Sequence, residues 1–83
     1  SKLKRTLMDA FVKIHPASHM NVLNTMQGNV QAIGALMDNL DWEEFMGPIC
    51  GDDTILIICR TPEDTDGVQS RLLELLERNY QIK

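Results

Sequence analysis

The most distinctive pattern along the chain is the apolar run Ile55–Ile58, which shows no alternation between hydrophobic and polar positions. Aliphatic residues of this kind favour a strand, predicted here over residues 54–60. A strand with one face in water alternates, so this run predicts burial on both faces. Either another subunit covers its second face or loops of the same chain partly shield it, and the pattern favours self-association.

The segment before this run predicts the other half of a hairpin. Phe45–Cys50 is a strand candidate in which Pro48 indicates an edge position or a bulge. The turn between the strands is Gly51-Asp52-Asp53, and aspartate is favoured in tight turns because it bonds to its own backbone. With the two aspartates at the centre, this register places Cys50 opposite Ile55 and Cys59 opposite Met46.

The first 25 residues contain two weaker strand patterns after a polar, basic start. Residues 1–7 are predicted to be a linker end or a fraying helix. Met8–Ile14 shows partial alternation and predicts a strand, and Met20–Thr25 predicts a second strand antiparallel to it. His15–His19 between them is predicted to be a loop, because Pro16 cannot donate to a ladder.

A helical period begins after Gly28, with Asn29 as the predicted N-cap. The face opposite its apolar stripe carries Gln31, Gly34 and Asp38, and is expected to be polar. The stripe itself consists of Val30, Ile33, Leu36, Met37 and Leu40.

Thr61 and Pro62 begin a second helix, as N-cap and first helical residue, with acidic residues following in the first turn. Its buried stripe is predicted to be Val68, Leu72, Leu75 and Leu76. The order ββαββα indicates an α+β fold, a two-layer sandwich of one four-stranded antiparallel sheet with two helices on one face.

Chain length and net charge limit the kinds of function to consider. The chain has 83 residues, enough for one domain, and a net charge of −4, which argues against binding to a phosphate backbone. Half of the basic residues nevertheless lie in the first 13 positions, namely Lys2, Lys4, Arg5 and Lys13.

The two cysteines, Cys50 and Cys59, have no C-x-x-C spacing, and the predicted register does not bring the thiols together. Reduced, buried thiols are therefore expected, as in cytosolic proteins. No signal-peptide pattern and no apolar run of membrane-spanning length occurs, so the sequence predicts a cytoplasmic protein that makes no membrane contact.

The adjacent carboxylates Asp52 and Asp53 are the strongest candidates for chemistry. They are either ordinary turn residues or a cation site, since like charges this close are costly unless a cation neutralises them. A guanidinium fits better than a metal, which would need more oxygen ligands.

His15 and His19 flank a proline and lack further ligands, so no metal is predicted. No nucleophile–base set occurs, and the chain is not expected to be an enzyme.

Two segments resemble the C-terminal domain of bacterial arginine repressors, most closely the versions from bacilli. They are Gly28–Trp42, with the letters GNVQAIGALMDNLDW, and Gly47–Ile55, with GPICGDDTI. The resemblance extends from about Leu7 to Leu76. It implies a domain that trimerises and stacks into a dimer of trimers, binding L-arginine as co-repressor, with no other cofactor, between the trimers. DNA binding belongs in this family to an N-terminal winged-helix domain that controls arginine biosynthesis genes.

Transferred to matching positions, the resemblance implies that Asp52 and Asp53 hold the guanidinium and α-amino groups, one of them from the opposing trimer. Gln31 would face the α-carboxylate. Further candidate ligand residues are Asn29, Asp38 and Cys50. The domain division that follows is a linker end over residues 1–7 and an arginine-binding and oligomerisation domain over residues 8–83.

The chain departs from the family pattern near the implied site. Pro48 stands where the family usually has threonine, which removes a hydroxyl and a backbone donor. Gln27 stands where proline usually precedes the glycine, and Val30 where alanine is common. The alternative interpretation is therefore a purely structural oligomerisation domain with a weakened or lost response to arginine.

Overall fold

The computed structural model describes residues 2–76 as one antiparallel sheet covered by helices. The strand order is β1-β2-β4-β3, which leaves β1 and β3 at the edges. The predicted α+β class and the four-stranded antiparallel sheet are confirmed. The elements are α1 (Lys2–Ala10), β1 (Phe11–Ala17), β2 (Met20–Thr25), α2 (Val30–Asp38), β3 (Phe45–Cys50), β4 (Thr54–Cys59) and α3 (Pro62–Leu76).

Of the two alternatives predicted for the beginning of the chain, a linker end or a fraying helix, the structure has the helix, and it extends further than predicted. A helix, α1, runs from Lys2 to Ala10, so residues 2–76 contain a helix more than the predicted ββαββα order. Leu3, Leu7 and Ala10 are all buried, because spacings of four and three residues place them on one helical face. The strand expected from Met8 begins only at Phe11. The domain boundary after residue 7 stays a prediction.

The connection between the first two strands is also tighter than predicted. Pro16 and Ala17 belong to β1 and pair with Asn21 and Met20, so the expected loop shrinks to a turn at Ser18 and His19. Proline is tolerated there because β1 is an edge strand.

The β3–β4 hairpin has the predicted register near its turn. Cys50 pairs with Ile55 and Gly47 with Ile58, as expected for a turn centred on the two aspartates. Beyond Gly47 the register shifts, and Cys59 pairs with Phe45, whereas the sequence predicted Met46. An irregularity at Met46 inserts one residue, which is how a bulge changes a register. Pro48 lies on an edge strand, as its lack of a donor indicated.

The last helix of the described residues, α3, has the predicted start. Pro62 is its first residue, and the Thr61 hydroxyl accepts a hydrogen bond from the backbone N–H of Asp64 at 3.0 Å. Its buried residues are Thr65, Val68, Leu72 and Leu76, whereas Leu75 is half-buried. Buried Asn21 on β2 donates to the backbone oxygen of Thr65 at 3.0 Å, which ties α3 to the sheet.

The core lies between the helices and the inner face of the sheet. In β4, Ile55, Ile57 and Cys59 are fully buried, while Leu56 and Ile58 alternate with them on the outer face and are only half-buried. Within this chain only the inner face of the apolar run is fully buried, and cover of its outer face by another subunit stays a prediction. We call the outer apolar patch the open face; it consists of Met20, Val22, Ile49, Leu56 and Ile58.

Candidate functional site

Asp52 and Asp53 occupy the tip of the β3–β4 hairpin, and both are exposed. The turn is closed by the backbone N–H of Gly51, which donates to the oxygen of Thr54 at 2.7 Å. Within residues 2–76 neither carboxylate forms an ion pair with a cationic side chain. This turn, residues 51–53, therefore presents two adjacent, solvent-facing carboxylates held by hydrogen bonds, and we call it the acidic turn.

The Asp53 carboxylate is held by a chain of hydrogen bonds that starts on β2. Asn24 donates its side-chain amide to the Thr54 hydroxyl at 3.1 Å, and that hydroxyl donates to Asp53 Oδ1 at 2.9 Å. The backbone adds a third link, because the N–H of Thr25 donates to the Asp53 carbonyl at 2.9 Å. The turn is thus fixed against the end of a central strand.

Asp52 receives its hydrogen bond from the loop that follows β2. Gln27 Nε2 donates to Asp52 Oδ2 at 3.3 Å, and both side chains are exposed. Sequence reasoning did not identify Gln27, Asn24 or Thr54 as part of the site. Their role depends on β2 lying beside β4, a pairing between distant parts of the chain.

The same loop positions the start of α2. Gly28 has a φ of +91°, a conformation that glycine adopts without strain. Asn29 occupies the N-cap position, but its side chain makes no capping hydrogen bond, so the predicted cap interaction does not form. Gln31 follows in the first turn and is exposed. Asn29 and Gln31 therefore lie directly after Gln27 and Gly28, in the loop and first helical turn next to the contact with the acidic turn.

Gly34 was predicted on the polar face of α2, and that prediction is wrong. It is buried, and a Cβ built at this position would lie 2.5 Å from Cys50 Sγ. The missing side chain lets α2 approach β3 closely. Cys50 is consequently half-buried beneath the helix, directly before the acidic turn.

This close approach predicts a coupled effect of Gly34 and Cys50 on stability. Gly34→Ala should lower the free energy of unfolding by about 1–2 kcal/mol, because overpacking outweighs the better helix propensity of alanine. In a Cys50→Ala background the same change should be neutral or stabilising. Urea unfolding of the wild type, the two single variants and the double variant gives the coupling free energy, and strictly additive effects would contradict the packing argument.

Asp38 lies at the opposite end of α2, about 10 Å along the helix axis from Gln31. The structure therefore does not bring it to the acidic turn of the same chain. It lines an open cavity of about 400 Å³, in which it is the charged residue. The other lining residues are Met46, Gly47, Pro48, Ile49 and Ile58.

Both cysteines are free thiols, but only Cys59 is fully buried as predicted, whereas Cys50 is half-buried. Burial raises the pKa of the Cys59 thiol above its ordinary value. A side-chain interaction with Thr65 lowers this pKa in part, and the nearby Asp64 and Glu44 carboxylates raise it further. Cys59 is therefore a core side chain that stays protonated near neutral pH.

Two further findings concern residues 2–76. They contain no group of three or more histidine, cysteine or acidic side chains placed to hold a metal ion. None of the helices in this part of the chain has the length and apolar character to cross a bilayer.

Comparison with known proteins decides the family. A family model described as "Arginine repressor, C-terminal domain" matches residues 7–74. The chain belongs to this family. The resemblance noted in Gly28–Trp42 and Gly47–Ile55 is thereby confirmed.

Individual arginine repressors are similar over most of the chain. The protein from Bacillus velezensis is 86% identical over 76 residues, which cover 92% of this chain and 51% of that protein. The arginine repressor from Bacillus subtilis is 83% identical over the same length, and that from Oceanobacillus iheyensis is 60% identical over 75 residues. The chain spans about half the length of these relatives.

Proposed function

We propose that this chain is the effector-sensing and oligomerisation core of an arginine-dependent transcriptional regulator. The observation that carries the proposal is the pair of exposed carboxylates on a fixed turn, in a chain of the arginine repressor family. Adjacent like charges favour a cationic ligand, and L-arginine supplies two cationic groups. A guanidinium can also be met by a carboxylate through two parallel hydrogen bonds.

In the proposed site, Asp52 and Asp53 hold the guanidinium and α-amino groups, and one of the two acts from the opposing trimer. Gln31 faces the α-carboxylate with its side-chain amide. Asn29, Cys50 and Asp38 complete the set of candidate ligand residues. The position of Asp38, at the far end of α2, is compatible with a site assembled from more than one subunit.

The open face supports the proposed self-association. Ile49 is 60% exposed and lies in one row with half-buried Leu56 and Val22 across β3, β4 and β2. Apolar surface of this kind is stabilised when another subunit covers it. A trimer that stacks into a dimer of trimers, as in the family resemblance, would bury the open face and create the shared arginine site.

Regulation follows from linkage. A ligand that contacts two subunits binds the assembly better than the separate chains, so arginine shifts the equilibrium toward the assembled form. Operator binding is proposed for an N-terminal winged-helix domain outside this sequence. The assembled core would hold copies of that domain in the arrangement that an operator requires.

The proposal is tested by calorimetric titration of the chain with L-arginine, with L-citrulline as the control ligand. Citrulline keeps the shape of arginine but lacks the charge on the guanidinium, so we expect saturable binding of arginine and no measurable binding of citrulline. Equal binding of both would contradict recognition through carboxylates. Binding of neither would favour the structural alternative, and Pro48→Thr is the first reversion to examine.

A further inference from the structure

Gln27 lies outside the set of residues assigned to the ligand, yet its side chain contacts one of them. Its amide Nε2 is 3.3 Å from Asp52 Oδ2. The residue belongs to the turn between β2 and α2, and that turn is anchored on both sides. The backbone N–H of Met26 donates to the Ala10 oxygen at 2.8 Å, and that of Asn29 to the Met26 oxygen at 3.4 Å.

Each carboxylate of the hairpin is oriented by a side-chain amide, one directly and the other through a hydroxyl. An amide of β2, from Asn24, acts through the Thr54 hydroxyl on Asp53, and the amide of Gln27 acts directly on Asp52. Both amides come from one short stretch of chain. The backbone bond from Thr25 to Asp53 holds that stretch next to the hairpin at 2.9 Å.

The hydrogen-bonding capacity of a carboxylate decides whether Gln27 would compete with a ligand or assist it. An ionised carboxylate offers about four acceptor sites on its two oxygens, and a guanidinium fork uses one on each oxygen. Gln27 occupies one site on Oδ2 of Asp52. A second site on that oxygen and both sites on Oδ1 stay available to the fork.

We infer that Gln27 is a positioning residue for the proposed arginine site: its amide holds the Asp52 carboxylate in one orientation and stays bonded when the ligand binds. This inference rests on the proposed function. Asp52 is exposed at a hairpin tip, so without Gln27 its side chain is free to rotate. The entropy cost of ordering one such side chain on binding raises the dissociation constant by a factor of about 2 to 10.

The test compares the wild-type chain with Gln27→Met, which keeps the length of the side chain and removes both amide donors. Gln69→Met is the matched control, because Gln69 lies on α3, outside both the hairpin and the loop that follows β2. Calorimetry gives the dissociation constant for L-arginine, and three-bond NMR couplings give the χ1 rotamer distribution of Asp52 without ligand. The thermal midpoint reports any general loss of structure.

We expect Gln27→Met to bind arginine about 2- to 10-fold more weakly, to average the Asp52 rotamers and to keep the wild-type thermal midpoint. Gln69→Met should match wild type in all three measurements. Tighter binding in Gln27→Met would show competition and overturn the inference, as would unchanged affinity or unchanged Asp52 rotamers.

Failure of the inference and failure of the proposed function are distinguishable. Normal arginine binding with equal Asp52 order in both chains would overturn the role of Gln27 and leave the proposed function standing. A wild-type chain that binds no arginine would overturn the proposed function and with it the role of Gln27 toward arginine, even if Gln27 still orders Asp52.

Discussion

Asparagine in place of Asp52 is expected to raise the dissociation constant for L-arginine by about one hundredfold. The substitution keeps the size of the side chain and an acceptor oxygen, but removes the charge that a guanidinium or ammonium group needs. In the assembled protein a second subunit would cover the site and exclude water. Loss of one partner from a desolvated, hydrogen-bonded charge pair costs about 2–5 kcal/mol.

The measurement is calorimetric titration of the Asp52→Asn chain beside Asp66→Asn, a matched control on an exposed position of α3. Asp66→Asn changes the net charge equally, so a difference in arginine affinity between the two variants shows the effect of the position of the lost charge. Asp53→Asn is expected to behave like Asp52→Asn. Unchanged arginine affinity in both turn variants would remove the acidic pair from the site and favour its alternative role as an ordinary hairpin turn.

The strands around the site could be predicted because their signals are local. The apolar run Ile55–Ile58 and the turn chemistry of Asp52 and Asp53 determine a two-residue hairpin, and the register follows by counting outward from the turn. Counting gives the correct partner for Cys50 and an incorrect one for Cys59. An inserted residue at Met46 has no signature in the apolar pattern.

Helix α1 was predicted only as one of two alternatives, and only to residue 7, because its apolar stripe is short. Leu3, Leu7 and Ala10 are separated by charged and polar residues, and the mean polarity of the segment resembles that of a linker. Helices of this length are stabilised by tertiary packing more than by propensity. The packing partners of Leu3 and Leu7 lie in distant elements of the core, so local periodicity carries little information about them.

The polar contacts of the acidic turn could not be predicted for the same reason, because they too join residues that are distant along the chain. Asn24 pairs with Thr54 across β2 and β4, and Gln27 reaches Asp52 from the following loop. Both contacts require the strand order of the sheet, which places β4 between β2 and β3. Sequence reasoning identified the acidic residues from their chemistry, but the residues that orient them depend on topology.

The proposed ligand site and the open face share the same hairpin. Ile49 and Leu56 pair across β3 and β4, only a few residues from the turn that carries the carboxylates. A subunit that packs on this hairpin therefore also limits the positions that the turn can adopt. This physical continuity is the structural basis on which arginine binding and assembly would be coupled.

Ile49→Glu is accordingly expected to weaken self-association at least about one hundredfold. The isoleucine is 60% exposed on an edge strand, so the isolated fold should tolerate a glutamate there. Covering an isoleucine side chain contributes about 1.5–3 kcal/mol, and an unpaired charge in an apolar interface adds a penalty of its own. In a trimer the substitution occurs in every subunit, which multiplies its effect. Sedimentation velocity with and without L-arginine measures the assembly.

Met8→Glu is the matched control, because Met8 is 46% exposed on α1, outside the open face. It should leave the assembly intact, whereas Ile49→Glu should sediment as a smaller species with an unchanged circular dichroism spectrum. Arginine affinity should fall together with assembly in Ile49→Glu, since the proposed site draws one carboxylate from another subunit. An intact assembly in Ile49→Glu would show that the open face is not the interface, and full arginine affinity in a dissociated variant would place the whole site within one chain.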